Sequence, residues 1–206
     1  MTHAVFLVRH AEVLNPEHIV YADISGFGLS ELGWRQAADT AEHLSRHTIA
    51  RVVASPLERA QQTAGAIALR HGLEVETDGE LTEWRMAQRW KGVVWEELDE
   101  QFPGELEGYL RHPWDLPWNE EPLADLAKRM ATAVERLCAG VDGGTVIVSH
   151  QDPIQACRLA MTGRTLRSLN EDKPSHGEVF QLRPGTPWTE STRWAPSEQF
   201  AFPPKS

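Results

Sequence analysis

The chain has 206 residues, 41% of them hydrophobic and 24% charged. These proportions suit a folded domain with a full core, and they exclude a disordered chain, a collagen-like repeat and a disulfide scaffold. A formal charge of −10, from 20 Lys plus Arg against 30 Asp plus Glu, argues against a broad nucleic-acid or anionic-membrane surface. It leaves room for a small anionic substrate held by a few clustered arginines.

The apolar run Ala4 to Val8 reads as a parallel strand buried on both faces. Arg9 ends it too early for a signal-peptide core or a membrane span, so a cytoplasmic protein is expected. Ser30 to Arg46 reads as a helix, with Ala37, Ala41 and Leu44 on one stripe. Arg51 to Ala54 is a second strand. Ser55-Pro56-Leu57-Glu58 then has the form of a helix start, with Ser55 as cap and Glu58 closing a capping box. Ala60, Thr63, Ala64, Ile67 and Ala68 form that helix's inner face and Gly72 ends it. Leu73 to Glu76 is a candidate third strand.

From about residue 78 to 121 the pattern loosens. The stretch is rich in tryptophan (Trp84, Trp90, Trp95, Trp114, Trp118) and proline, and reads as an irregular ordered insertion with short helices. Pro122 to Ala139 is amphipathic through Leu123, Leu126, Met130, Ala133, Val134 and Leu137. Gly143-Gly144 is a turn, Thr145 to Ser149 a buried strand, and Asp152-Pro153 a helix start. Glu178 to Leu182 is a last strand, placed at a sheet edge. Cys138 and Cys157 lack metal or redox spacing and read as buried thiols. The organisation expected is a single domain over 1–183 followed by a Pro-rich tail over 184–206, whose Trp188, Trp194, Phe200 and Phe202 lie along the body.

Strand–helix alternation with apolar strands predicts a doubly wound α/β fold, a three-layer αβα sandwich around a mostly parallel sheet. Such sheets hold ligands at the carboxyl ends of their strands. Arg9-His10 follow the first strand, Ser55 and Arg59 the second, and His150 the Thr145 strand; Glu83 lies early in the insertion. Guanidinium groups suit phosphate oxygens, a neutral imidazole is a nucleophile toward phosphorus, and a second imidazole, protonated beside a phosphate dianion, stabilises charge. A carboxyl group completes such a set by protonating the departing oxygen and then activating water.

Leu7-Val8-Arg9-His10-Ala11-Glu12 resembles the signature of the histidine phosphatase superfamily, the phosphoglycerate mutase-like fold. Four further segments are similar in the same order: Leu29-Ser30-Glu31-Leu32-Gly33, Ala54 to Ala64 around Arg59, Leu81-Thr82-Glu83, and Val146-Ile147-Val148-Ser149-His150. The resemblance, which spans residues 4 to about 160, implies a branch 1 phosphatase that hydrolyses phosphomonoesters. It implies His10 as nucleophile through a phosphohistidine, Arg9, Arg59 and His150 around the phosphoryl group, and Glu83 as proton donor. It also implies no metal and no other cofactor. Two positions depart from the family pattern, Ala11 and Gln151, where glycine is usual or frequent. The Gln151 amide can donate to a phosphate oxygen or leaving group. Asn15, Tyr21 and Ser25, in the loop after His10, are further candidates to touch substrate.

The remaining histidines have no metal spacing and read as surface or packing residues, with His176 before the last strand the one to inspect. The insertion tryptophans either pack it onto the core or, through Trp84, Trp90 or Trp95, line a pocket for an apolar or aromatic leaving group. The alternatives to a phosphatase are a phosphoglycerate-type mutase and a non-catalytic phosphate-binding module. The insertion lacks the arginine-rich segment of the sugar-phosphate mutases, and the site set lacks none of its members. The partner expected is a small phosphorylated substrate; the oligomeric state is not legible.

Overall fold

The first apolar run becomes strand β1 (Val5–Arg9), in a computed structural model that describes residues 4–198. It is followed by α1 (Glu31–Leu44), β2 (Ile49–Ala54), α2 (Glu58–His71), β3 (Val75–Thr77), two short helices α3 (Leu98–Gln101) and α4 (Glu105–Arg111), α5 (Leu123–Cys138), β4 (Gly144–Ser149), α6 (Gln151–Met161), β5 (Val179–Arg183) and β6 (Thr189–Trp194). The strands form one sheet in the order β3-β2-β4-β1-β5-β6. The four on the β3 side run parallel, while β5 and β6 are antiparallel additions.

Alternation along the strands builds two cores. Val5, Leu7, Val53, Ile147 and Phe180 face α5, α6 and the insertion. Phe6, Val8, Val52, Val146 and Val148 face α1 and α2. A strand buried on both faces has no polar stripe to show, which is why β1 and β4 read as continuous apolar runs. The insertion is a series of 3₁₀ turns and short helices whose Trp84, Trp90, Leu98 and Tyr109 join the first of these cores.

Three expectations are corrected. Helix α2 begins at Glu58, and its N-cap Leu57 makes no side-chain cap. Glu58 does not close a capping box; its carboxylate accepts from Gln62 one turn on. Strand β5 is interior, because residues 189–194, assigned to the tail, form the edge strand β6 against it. Trp194 pairs with Val179 there and stacks on His43, with ring centroids 4.2 Å apart. A run of polar residues, Thr189 to Arg193, suits an exposed edge, and it hid the strand from a search for apolar runs. Phe200 and Phe202 lie outside the described residues.

Among the described residues no helix is long and apolar enough to cross a membrane.

Candidate active site

Register places the site. Arg9 lies opposite Ser149 and Ala54 opposite Val148, so His10, His150 and Ser55 leave three adjacent parallel strands at one level. The entry to α1 packs close behind: Ser30 caps that helix through Gly33 N–H, and a Cβ on Gly33 would stand 2.0 Å from the Glu12 carbonyl oxygen. Only glycine allows that approach, which seats the loop after His10. At Ala11 the methyl is accommodated. The residue is fully buried, its φ is not positive, and its N–H donates to Thr63 Oγ1 at 3.0 Å.

His10 is buried at 2% exposure and lines a cavity of about 800 Å³. Its Nδ1–H donates to the Ala11 carbonyl at 2.8 Å. A carbonyl only accepts, so the neutral ring carries its proton on Nδ1 and keeps a lone pair on Nε2. Burial, then Arg59, His150, Arg9 and His176, hold the imidazole pKa well below its ordinary value. The neutral ring is therefore the resting form.

Arg9 donates from Nη1 to the Pro174 carbonyl at 2.7 Å and from Nη2 to His176 Nε2 at 2.8 Å. Arg59, 1% exposed, lies behind the cavity wall. Its guanidinium is 4.6 Å from the Tyr21 ring centroid, and Nη2 donates to the Ala22 carbonyl at 2.8 Å. The Nε atoms of Arg9 and Arg59 and Nδ1 of His150 are buried without a hydrogen-bonding protein partner. Unsatisfied buried donors cost roughly 1–3 kcal/mol each.

His150 is fully buried, edge-on to His10 with ring centroids 5.2 Å apart. Its Nε2 is 2.8 Å from Ser55 Oγ, and its Nδ1 is 3.7 Å from Glu83 Oε2, too far for a hydrogen bond. Ser55 Oγ accepts from Leu57 N–H at 3.3 Å, which frees its own O–H to point at His150 Nε2. Burial, then Arg59 and Arg9, push the His150 pKa well down. In the unliganded protein this ring is therefore neutral, and the protonated imidazole expected from the sequence belongs to the state with a phosphate dianion bound beside it. The expectation for Ser55 is corrected: it orients His150 rather than capping α2.

Glu83 reaches the site from the insertion. Its Oε1 accepts from Trp84 N–H at 2.9 Å, and burial, then the charge of Asp152, raise its pKa. A carboxyl pushed toward its neutral form can give a proton.

Gln151 and Asn15 also line the cavity. The Gln151 amide donates to the Pro174 carbonyl at 3.1 Å and retains a second N–H. Asn15 is committed to its own loop: Nδ2 donates to the Ile19 carbonyl at 2.9 Å and Oδ1 accepts from Ile19 N–H at 3.2 Å. Tyr21 lines the cavity, and Ser25 is not among its lining residues.

Sequence reasoning gave His176 a surface or packing role while singling it out for inspection, and the structure sets its ring 5.7 Å from that of His10. It precedes β5, which runs antiparallel to β1 and so begins at the edge where β1 ends. Asp152, Tyr109 and Lys173 were missed altogether. They form one group at the cavity, Tyr109 and Asp152 buried and Lys173 half-buried, with Tyr109 O–H donating to Asp152 Oδ2 at 2.9 Å and Lys173 Nζ 2.6 Å from Asp152 Oδ1.

A parallel sheet ending in two arginines, two histidines and a carboxyl, with an orphaned donor set among them, defines a phosphoryl-transfer enzyme that works through a histidine. The chain belongs to the histidine phosphatase superfamily (branch 1), whose family model matches residues 5–194. It is 40% identical over 179 residues to the uncharacterised protein Rv0525 of Mycobacterium tuberculosis, covering 79% of this chain and 80% of that one. It is 32% identical over 162 residues to phosphoserine phosphatase 1 of Hydrogenobacter thermophilus, covering 77% and 76%. The solved structure of mycobacterial glucosyl-3-phosphoglycerate phosphatase Rv2419c with VO3 superposes with a TM-score of 0.83 at 26% identity, over 94% of this chain and 99% of that one. The chain is thus a hydrolase of the phosphatase type.

Proposed function

We propose that this protein hydrolyses a small phosphomonoester through a phosphohistidine on His10, with Glu83 as the proton donor. The observation that carries the reading is the locked tautomer of His10. Its Nδ1–H is spent on the Ala11 carbonyl, which leaves the Nε2 lone pair available on a ring that feels the charges of Arg59 and Arg9.

In the first step Nε2 attacks phosphorus and forms an N–P bond. The P–O bond to the leaving alcohol breaks, and the Glu83 proton passes to the departing oxygen. In the second step the Glu83 carboxylate takes a proton from water. The resulting oxygen attacks phosphorus, the N–P bond breaks, and its electron pair returns to Nε2 as inorganic phosphate forms. Arg9, Arg59 and His150 hold the equatorial oxygens, the phosphate competing with the Ala22 carbonyl for Arg59. Cationic guanidinium groups supply the charge stabilisation that a metal provides in other phosphoryl-transfer sites. Arg9 is the sole arginine among the described residues lining the cavity, which favours hydrolysis over a mutase that must grip a second phosphate. Buried free thiols at Cys138 and Cys157 are in keeping with a reducing, cytoplasmic setting.

The test is hydrolysis of p-nitrophenyl phosphate and of ethyl phosphate by the wild type, His10→Ala and Glu83→Gln, in EDTA and with vanadate. Chelator-resistant turnover that vanadate blocks and His10→Ala abolishes is expected, with Glu83→Gln slower by about 10²-fold or more on alkyl phosphates. Turnover surviving His10→Ala would overturn the assignment.

A further inference from the structure

We propose that the outer part of the cavity is built for an uncharged aromatic or extended apolar alcohol, so that the substrate is a phosphomonoester of such an alcohol rather than of a carboxylate-bearing one. This rests on the phosphatase reading above and deepens it to a substrate class.

The wall beyond His10 and Glu83 includes Trp84, Met86, Trp90, Trp95 and Tyr109. The polar tips of its buried aromatic members are already used. Trp84 Nε1–H donates to the Glu121 carbonyl at 2.7 Å, and Trp90 Nε1–H donates to Glu105 Oε2 at 2.9 Å. The Tyr109 hydroxyl donates to Asp152 and accepts from Lys173. What these residues offer a ligand is therefore carbon and π-surface. The rings also hold one another: Trp90 stands edge-on to Tyr109 at 5.6 Å and to Trp95 at 6.2 Å. A wall fixed in this way needs little ordering when a ring slides against it. The space is ample, since about 800 Å³ lies in the range that holds multi-ring ligands. Leu14 and Trp95, 65% and 41% exposed, extend the apolar surface.

Charge points the same way. Lys173, which lines the cavity, is ion-paired with Asp152 at 2.6 Å. Glu12 also lines it, and its Oε2 is buried without a protein hydrogen-bond partner. Among the described residues, the other cations at the wall are Arg9, which belongs to the phosphoryl group, and the histidines. Of these, His10 and His176 are held neutral, and His18 lies 3.5 Å from Glu96. A leaving group with a carboxylate would meet Glu12 and, among the described residues, find its one candidate ammonium partner, Lys173, already paired with Asp152. An uncharged alcohol would not face that repulsion.

The experiment compares kcat/KM for ethyl, 2-phenylethyl and 2-(2-naphthyl)ethyl phosphate, whose alcohols have similar acidity, with phosphoserine and 3-phosphoglycerate. A rise of about tenfold per added ring system is expected, with both carboxylate esters below ethyl phosphate. In Trp95→Ala the ratio of kcat/KM for the naphthyl ester to that for ethyl phosphate should fall about tenfold. The half-exposed position of Trp95 keeps that variant folded. A flat series, a preference for either carboxylate ester, or an equal loss on both esters in Trp95→Ala would overturn the inference. Should no ester and no p-nitrophenyl phosphate turn over, the phosphatase reading fails. Calorimetric binding of the same series to the wild type then decides the preference of the cavity on its own.

Discussion

Glu83 sits on irregular chain, and Arg129 of α5 is what holds that chain in place. Arg129 pairs with Glu121 at 2.7 Å from Nε and 3.2 Å from Nη2, with side-chain exposures of 10% and 7%. Its Nη1 donates to the Glu80 carbonyl and, at 3.3 Å, to the Thr82 carbonyl, so it grips the backbone just before Glu83. Glu121 grips the backbone just after it, accepting Arg85 N–H on Oε2 and Trp84 Nε1–H on its carbonyl. Arg129→Leu would leave a buried carboxylate unpaired and two carbonyls without their donor. Breaking a buried pair from one side costs about 3–5 kcal/mol. Glu121 keeps its Arg85 N–H bond, so about 3 kcal/mol is expected. With a urea m-value near 3 kcal/mol/M for a chain of this size, the unfolding midpoint should fall by about 1 M. Release of the Glu83 segment should also lower kcat by about tenfold or more, since misplacement of a reacting group is costly. The Arg129→Leu/Glu121→Leu double variant removes the stranded charge and should regain about 2 kcal/mol. Urea denaturation of the wild type and both variants, with kcat on ethyl phosphate, measures all of this. A loss under about 1 kcal/mol for Arg129→Leu, or a double variant no more stable than the single, would refute the pairing argument. An unchanged kcat would refute the positioning one.

Two further outcomes are expected. In the pH profile of kcat/KM, activity rises as pH climbs through the His10 pKa and falls as it passes that of Glu83. The first is lowered and the second raised, so the acid limb should lie well below pH 6.5 and the alkaline limb above pH 4.5. Glu83→Gln should erase the alkaline limb, and its profile separates the enzyme from the substrate's own ionisation; an acid limb at or above pH 6.5 would contradict the neutral resting state of His10. Ser55→Ala removes the partner 2.8 Å from His150 Nε2. It should cost about 1–2 kcal/mol in stability and lower kcat with KM little changed, read by denaturation and steady-state kinetics. Lost stability with unchanged kcat would leave Ser55 a purely structural residue.

Much of the scaffold was legible because its signals are local. A strand buried on both faces must be apolar throughout, so β1 and β4 announced themselves, and α5 did so through its stripe. In a parallel sheet the carboxyl ends lie together, so reading the residues that follow each strand found Arg9, His10, Arg59 and His150 without coordinates. Glu83 came from the resemblance of Leu81-Thr82-Glu83 to a segment of the family.

The rest depends on which elements become neighbours. His176 precedes a strand, and it reaches the site because β5 runs antiparallel to β1, a pairing that no local pattern encodes. The Ser55 hydroxyl had two partners available, its own helix and the end of β4, and the register of β2 on β4 set it beside His150. Tyr109, Asp152 and Lys173 come from α4, α6 and the chain before β5, and only packing makes them one group. The insertion tryptophans were offered as core or as pocket. Trp84 and Trp90 are both, because a ring buried by its edge and its N–H can still present a face to a cavity. Composition and spacing therefore determined the layers and the chemistry at the strand ends. Tertiary structure decided the protonation state of His10 and His150, the support of Glu83 and the apolar wall, since burial and neighbouring charge exist only once distant segments meet.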